Sequence, residues 1–597
     1  MGRKIYKNFK LFTKFNLDTL ILFELFHKGI FVVLILPIIK FLFEKAMQSV
    51  GIVYLSTDNV FKFLSNPIAI ILLIVLLLTL IFYMFFEFAA VIICFDKSIE
   101  LKKISILPLV KEGLRKSKII LYPRNLILMV FVLLIIPLTN LTLTSGVIGE
   151  IRLPDYILDF IKSDNILNLI YILVMFILYT VVIRWIFVIH EMIINEFDFK
   201  EARNASKVIV KGNEIKILFY TIGTFLIWSL LCVVFYYFMI GIIGVLVKNF
   251  GRGNSIKEIF ILRSKLFREY SLLASSILSF IVNLGLITAL YYAYKRVDFD
   301  KKKAFVKKKV TFKAVIKWIV IILLIQVESL VLIANKEPVY NLEFMYNTTA
   351  TAHRGAALVA PENTITSFKE SIKSDVEYIE TDVQETKDGE LILLHDSNFK
   401  RTTGVDKNVW NVYYEEVKTY DAGSYFGSEY AGEKIPTLDE AIKAVRGRAK
   451  LMVEIKFNGH ESDDFVEKVI KVIKDNNYEN QCVIASMNKE VLKRVKELEP
   501  GLVTCYITAL AYGDFYKWDY VNIFSVESTF ISQSAVKDIH NMGKQIFAWT
   551  INDEALMGKM IDMNVDSIVT DDPFLVQDTV YWKKNDFINK AAEFFFD

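Results

Sequence analysis

"IETDVQETKDGELILLHD", residues 379–396, decides the fold of the second half of this chain. An apolar run carries Glu380 and Asp382 at alternate positions, turns near Asp388-Gly389, and returns along a second apolar run to His395 and Asp396. Side chains alternate between the faces of a strand, so Glu380 and Asp382 share one face. The return is too short for the crossover that a parallel neighbour needs, which leaves an antiparallel pair joined by a tight turn. Asp-Gly is a strong hairpin signal. With those two residues as the turn, Asp382 is expected opposite His395 on the shared face. The hairpin thus brings a histidine back to a pair of acids.

Outward from this hairpin, residues 349–578 alternate between short apolar strands and helical stretches. Strands are expected at 350–353, 378–384, 451–456, 482–486, 502–507, 522–527, 545–551 and 566–570. Helices are expected near 364–373, 437–446, 462–475, 488–498, 532–542 and 553–562. This alternation predicts a parallel sheet. Eight strands over about 230 residues suit a (β/α)8 TIM barrel, with the hairpin rising from its mouth. No glycine-rich dinucleotide loop follows the first strand, which disfavours an open doubly wound sheet.

The other half is a different physical object. Of 597 residues, 54% are hydrophobic, and the net charge of +4 hides a strong asymmetry. Residues 1–334 hold 41 Lys+Arg against 22 Asp+Glu, whereas 335–597 hold 29 against 44. Apolar runs near the ~20 residues that cross a bilayer recur in the basic half. They lie near 20–43, 68–86, 125–147, 166–189, 217–247, 271–294 and 314–335. The first is interrupted by Glu24, Lys28 and Lys40. The expectation is an all-α polytopic membrane domain of about seven spans over 1–335, a linker at 336–348, and the barrel over 349–597. Polar residues within spans are few, chiefly Glu87, Arg184 and Glu328. Snorkelling near span ends accounts for Arg184 and Glu87.

Lys and Arg favour cytoplasmic loops. Residues 1–16 carry five and 96–124 carry eight, whereas 44–67 and 148–165 carry two each. The N-terminus is therefore expected in the cytoplasm and the barrel outside the cell. Loop 248–268 breaks the pattern with six basic residues and reads as an amphipathic segment on anionic lipid. The basic stretch 294–313 reads as a topology anchor. The N-terminus lacks the short apolar core and small-residue site of a cleaved signal peptide. Four cysteines without metal spacing read as free buried thiols. "HEMIIN", 190–195, lacks the second histidine of a zinc-protease motif.

Barrel sites sit at the C-terminal strand ends. The first strand ends in His353-Arg354-Gly355, the second supplies Glu380 and Asp382, the hairpin returns His395, and "LMVEIKF" supplies Glu454 and Lys456. Three carboxylates without cysteine form a hard oxygen site suited to Mg2+ or Ca2+ rather than zinc. Two histidines supply a general acid and a general base. Arg354 and Lys456 suit a phosphate, the first bidentate and the second as a point charge. Together they fit phosphodiester cleavage.

The ordered set "AHRG", "APENT" (360–364), "IETDVQ", "LLHD", "RTTG" (401–404), "IPTLDEAI" (435–442), "VEIK", "FAWTIND" (547–553) and "VDSIVTDDP" (565–573) resembles the glycerophosphodiester phosphodiesterase family. The hydrophobic half is similar to the membrane domain fused to some bacterial members. The resemblance implies a hydrolase that cuts glycerophosphodiesters to glycerol 3-phosphate and an alcohol. It implies His353 and His395 as acid and base, and Glu380, Asp382 and Glu454 as ligands of one divalent metal, Ca2+ or Mg2+. Arg354 and Lys456 then bind the substrate phosphate. Glu362 is expected beside this set, Asn363 as a helix cap, and Trp549 at the mouth against the alcohol. Arg401 is expected to orient the long aromatic loop 397–435, which reads as a cap. The expected partners are a lipid-derived or polymeric glycerophosphodiester and membrane lipids, with no nucleic acid; oligomeric state is left open. A rival reading makes the helical half the active partner, as a transporter or a lipid-delivering binder, and another makes the barrel a catalytically dead lipid binder.

Overall fold

Tyr378–Glu385 is buried at every one of its 8 positions, on both faces. That is the signature of a strand enclosed between a barrel interior and a ring of helices. In the computed structural model, which describes residues 2–132, 157–158, 161–162, 164–250, 256–295, 347–584 and 587–596, the strands number eleven among the described residues. Along the chain they are β1 Tyr54–Ser56, β2 Thr349–Ala352, β3 Tyr378–Glu385, β4 Leu391–Leu393, β5 Lys450–Ile455 and β6 Cys482–Ser486. Then follow β7 Val503–Thr508, β8 Ala511–Gly513, β9 Ile523–Glu527, β10 Gln545–Trp549 and β11 Ser567–Thr570.

Eight of these close on themselves, all parallel, in the order β2-β3-β5-β6-β7-β9-β10-β11 and back to β2. This is the expected TIM barrel. Tyr378, Met452, Val483, Cys505, Ile523, Phe547 and Val569 fill its interior. A second core lies between strands and helices, with Phe368, Leu438, Ile442, Phe465, Val469 and Leu492 among its helix-borne members. Helices Ile365–Lys373 and Leu438–Val445 begin at reciprocal caps, Thr364 with Ser367 and Thr437 with Glu440. Each satisfies two backbone donors that would otherwise be orphaned.

The hairpin register differs from expectation by one residue. β4 pairs antiparallel with β3 as Val383↔Leu393, Gln384↔Ile392 and Glu385↔Leu391. The turn holds three residues, Lys387-Asp388-Gly389, closed by Thr386 N–H donating to Glu390 O at 3.0 Å, with Gly389 at φ +84°. A three-residue turn with glycine in the left-handed region is the next commonest hairpin. Leu394 N–H, not that of His395, donates to Asp382 O at 3.0 Å. His395 lies beyond the end of β4, so strand parity does not aim its side chain.

One strand of the barrel unit comes from far away in sequence. Among the described residues, 47–66 group with the barrel and 587–596 group with the helical unit. β1 pairs antiparallel with β8, Tyr54 opposite Gly513 and Ser56 opposite Ala511. Tyr54 packs edge-on against Trp518 at 4.9 Å, and the Tyr506 hydroxyl donates to Asp58 Oδ2 at 3.0 Å. Gly513 has φ +86°, and a Cβ there would lie 2.7 Å from Val53 O. Only glycine lets the two strands meet.

In the helical unit, five helices among the described residues are long and apolar enough to cross a membrane: Leu17–Ser49, Pro67–Ile99, Asn165–Ile194, Glu214–Asn249 and Ile259–Tyr294. The expected span near 125–147 is described only to residue 132. The span at 314–335, the basic stretch beyond 295 and the linker up to 346 lie outside the described residues. Residues 256–268, expected in a loop, are the first turns of helix Ile256–Tyr294. Phe85, Phe88, Ala89, Ile92, Phe280 and Leu284 build the core of this unit. Ile166, Leu169, Ile170, Leu173 and Phe176 stay exposed, as a lipid-facing stripe requires. The cysteines described are free, three buried and Cys232 half-buried.

Candidate active site

The polypeptide leaves β2 into a strained corner. Arg354, Gly355 and Asn363 all have positive φ, at +53°, +79° and +54°. A Cβ on Gly355 would meet Ser367 Oγ at 2.3 Å. This tight path turns the Arg354 N–H onto Glu380 Oε2, at 2.8 Å. It also brings Asn363 over β3, where its Nδ2 donates to Asp382 Oδ2 at 2.8 Å and its Oδ1 accepts from Thr381 Oγ1 at 2.7 Å. Asn363 is therefore not the helix cap, a role Thr364 takes. It fixes the rotamer of Asp382 instead.

Glu380, Asp382 and Glu454 converge as the alternation implied. One carboxylate oxygen from each lies within 4.8 Å of the others, and the residues are 2%, 0% and 7% exposed. Lys456 Nζ bridges Asp382 Oδ1 and Glu454 Oε2, both at 2.9 Å. Arg354 Nε stands 3.8 Å from Asp382 Oδ2. Glu380 Oε1 is buried without a hydrogen-bond partner. Burial, then the neighbouring Asp382, push the Glu380 carboxyl up to about 8. Burial works against Asp382 too, but Lys456, His395 and Arg354 outweigh it and hold that carboxyl well below the usual range. Three converging carboxylates, with Glu380 Oε1 left unsatisfied, form a set that can hold a cation, and its oxygen-only chemistry suits a hard divalent ion.

Each histidine has its own carboxylate. His353 Nδ1 lies 2.6 Å from Asp571 Oδ1, and Asn552 Nδ2 donates to Asp571 Oδ2 at 2.6 Å. Burial opposes the charged imidazole, but Asp571 outweighs it and raises the His353 pKa. His395 Nδ1 lies 2.9 Å from Asp396 Oδ1. Arg401 binds Asp396 through Nε at 2.7 Å and grips Glu362 through both terminal nitrogens, at 2.6 and 2.7 Å. Glu362 in turn accepts from Arg354 Nη1 at 3.1 Å. Glu362 thus joins two guanidinium groups. Arg401 ties His395 to Arg354 through that chain.

Residues 397–435 carry a small core of their own, including Phe399, Val409, Val412, Val417 and Tyr420. The Tyr425 hydroxyl accepts from Glu362 N–H at 3.1 Å, so this segment reaches the site. Trp549 Nε1 donates to Ser525 O at 2.9 Å, which fixes its ring beside the barrel interior. Sequence reasoning missed Asp571, Asn363 and Asp396 as supports. The rule that strand ends face the mouth would have found Asp571, which directly follows β11.

Hydrolysis of phosphodiesters is the chemistry this mouth fits, and the spans make the protein a multi-pass membrane enzyme. The membrane domain of glycerophosphoryl diester phosphodiesterase matches residues 5–329, and the glycerophosphoryl diester phosphodiesterase family matches 353–575. The chain belongs to the glycerophosphodiester phosphodiesterase family. It is 36% identical over 238 residues to a glycerophosphodiester phosphodiesterase of Caldanaerobacter subterraneus subsp. tengcongensis, covering 38% of this chain and 95% of that one. To the enzyme of that name from Bacillus subtilis it is 30% identical over 249 residues, 38% of this chain and 83% of the relative. A phosphodiesterase of Oleispira antarctica, solved with its product sn-glycerol-3-phosphate, is 28% identical with a TM-score of 0.37 over 39% of this chain and 96% of that one.

Proposed function

We propose that this phosphodiesterase is metal-dependent and cuts glycerophosphodiesters to glycerol 3-phosphate and an alcohol. The observation that carries the reading is the buried triad Glu380, Asp382 and Glu454, with Glu380 Oε1 unpartnered. These residues would hold one divalent ion, Ca2+ or Mg2+. Bound there, it would offset the negative charge that builds on the phosphoryl oxygens. Arg354 and Lys456 bind the phosphate. His395, oriented by Asp396, takes the proton from the attacking water or glycerol hydroxyl. His353, whose pKa the neighbouring Asp571 raises, gives one to the leaving alcohol oxygen. Trp549 and the 397–435 segment face the alcohol.

Two domains carry this function, a helical membrane domain drawn from 1–335 without residues 47–66, and the barrel from 349 to 586, to which 47–66 belong, joined by 336–348. The barrel is proposed to work outside the cell, on membrane lipid headgroups or glycerophosphate polymers. Residues 50–66 lie in sequence between two spans and group with the barrel. Loop 44–67 carries only two basic residues, against eight in 96–124, which favours the external side for both. The test is glycerol 3-phosphate release from glycerophosphocholine by the full chain in detergent, stripped of metal and titrated with Ca2+ or Mg2+. Full activity after chelation overturns the metal role. A barrel resistant to protease on intact cells, and cleaved only after lysis, overturns the external assignment.

A further inference from the structure

A second group of metal-ligating side chains lies inside the helical unit. Glu24 and His27 belong to the span Leu17–Ser49, and Glu87 to the span Pro67–Ile99. Residues three apart share a helix face, so the first span presents a carboxylate and an imidazole together. One ligand atom from each of Glu24, His27 and Glu87 lies within 4.8 Å of the others. The residues are 0%, 1% and 3% exposed, so snorkelling does not account for Glu87.

Both ring nitrogens of His27 are buried without a hydrogen-bond partner, and the buried Glu24 carboxyl has the Glu87 carboxyl as its hydrogen-bonding neighbour. The imidazole is nonetheless held in place. It stacks on Tyr83 at 4.0 Å, and the Tyr83 hydroxyl donates to the His27 carbonyl. His27 Nδ1 stands 3.7 Å from Glu87 Oε1, beyond hydrogen-bond reach. Two ligand atoms of a tetrahedral ion are about 3.4 Å apart when each bond is about 2.1 Å, so the spacing is near that of a shared ion. Lys28 Nζ lies 2.6 Å from Glu87 Oε1, so the one ammonium faces two carboxyls. Ionisable side chains inside spans are rare and costly, so an unpartnered imidazole beside two converging carboxyls calls for a ligand.

We propose that Glu24, His27 and Glu87 bind a divalent transition-metal ion of the Zn2+ kind within the membrane domain. One imidazole with two carboxylates selects such an ion over Ca2+ or Mg2+. The two carboxylates balance its charge, and the flexible stem of Lys28 lets its ammonium swing outward as the ion enters.

The test uses the full chain in nanodiscs, carrying Glu380→Gln and Glu454→Gln to disable the barrel cluster. After chelation, reloading with Zn2+ and dialysis, elemental analysis should find about one retained equivalent per chain. Adding His27→Ala or Glu24→Gln should abolish retention, while His27→Cys should restore it, because a thiolate also ligates zinc. Equal retention with and without these changes overturns the proposal and leaves the group as an ion pair of Lys28 with Glu87. Should His27→Ala fail to accumulate, the same background loaded with Co2+ decides: an imidazole-nitrogen coupling in pulsed EPR supports the site, and its absence overturns it.

Discussion

Asp571→Asn is the sharpest perturbation of the proposed proton donor. The Asp571 carboxylate offers two acceptor oxygens, one to His353 Nδ1 at 2.6 Å and one to Asn552 Nδ2 at 2.6 Å. Both partners arrive as donors. An amide offers one acceptor and one donor group, so after the substitution one of the two contacts sets donor against donor. Either His353 loses its tautomer and orientation, or Asn552 is displaced from the loop after β10. Removing a hydrogen bond to a charged group costs about 1.5–3 kcal/mol. At about 1.4 kcal/mol per decade, kcat should fall roughly 10- to 150-fold. Because Asp571 touches the histidine and not the phosphate clamp, KM for glycerophosphocholine should change little. The substitution also removes the charge that raises the His353 pKa, leaving burial to lower it. The limb of the pH–rate profile that reports the protonated donor should move to lower pH. Steady-state kinetics of the full chain across pH give all three readouts. A kcat within about twofold of the parent, with an unmoved limb, would refute the role of Asp571 in positioning His353.

Metal binding should depend on pH through Glu380, pushed up to about 8 by burial and Asp382. Between its ordinary value near 4.5 and about 8, the ion-free folded protein holds a proton that the unfolded chain has released, so ion-free stability falls as pH rises through that window. An entering ion must displace this proton; calorimetric titration with Mg2+ or Ca2+ should show affinity rising with pH and levelling off above about 8, and a flat profile contradicts it. Asn363→Ala removes the donor to Asp382 Oδ2 and should weaken metal binding about 10- to 100-fold, measured by the same titration; unchanged affinity discards Asn363 as a support. Gly355→Ala forces a Cβ to within 2.3 Å of Ser367 Oγ at φ +79° and should destabilise the barrel by about 2 kcal/mol or more in thermal unfolding, whereas an unshifted melting temperature contradicts the strained corner.

Much of the barrel was legible because its signals are local. The eight barrel strands and the six expected helices fall within a few residues of their sequence positions, since short β-branched runs and capped amphipathic stretches announce themselves over a single element. Glu380, Asp382 and Glu454 converge because alternation along β3 and β5 fixes their face, and β3 pairs with β5 at Asp382↔Glu454. The hairpin register was less legible. Asp-Gly serves a two-residue turn or the second half of a three-residue one, and the choice rests on Thr386 pairing with Glu390, a preference that Asp388-Gly389 does not encode. Asn363 was misread because its left-handed φ lifts it off the helix it precedes and turns its amide toward β3. The burial of Glu87 was missed because its partners sit on another span, 59 residues away for Lys28, and periodicity within one helix says nothing of what the next helix presents.

β1 turns a loop between two spans into part of the enzyme's architecture. Connections between membrane helices ordinarily drift in length and sequence from one homologue to the next. Here such drift would unpick a ribbon, because β8 depends on Tyr54–Ser56 for its partner and Tyr506 on Asp58 for its hydroxyl. A barrel expressed without its upstream half would display a raw β edge, the kind of surface on which chains stack and precipitate. In this chain the loop 47–66 and the barrel are therefore to be engineered as a matched set.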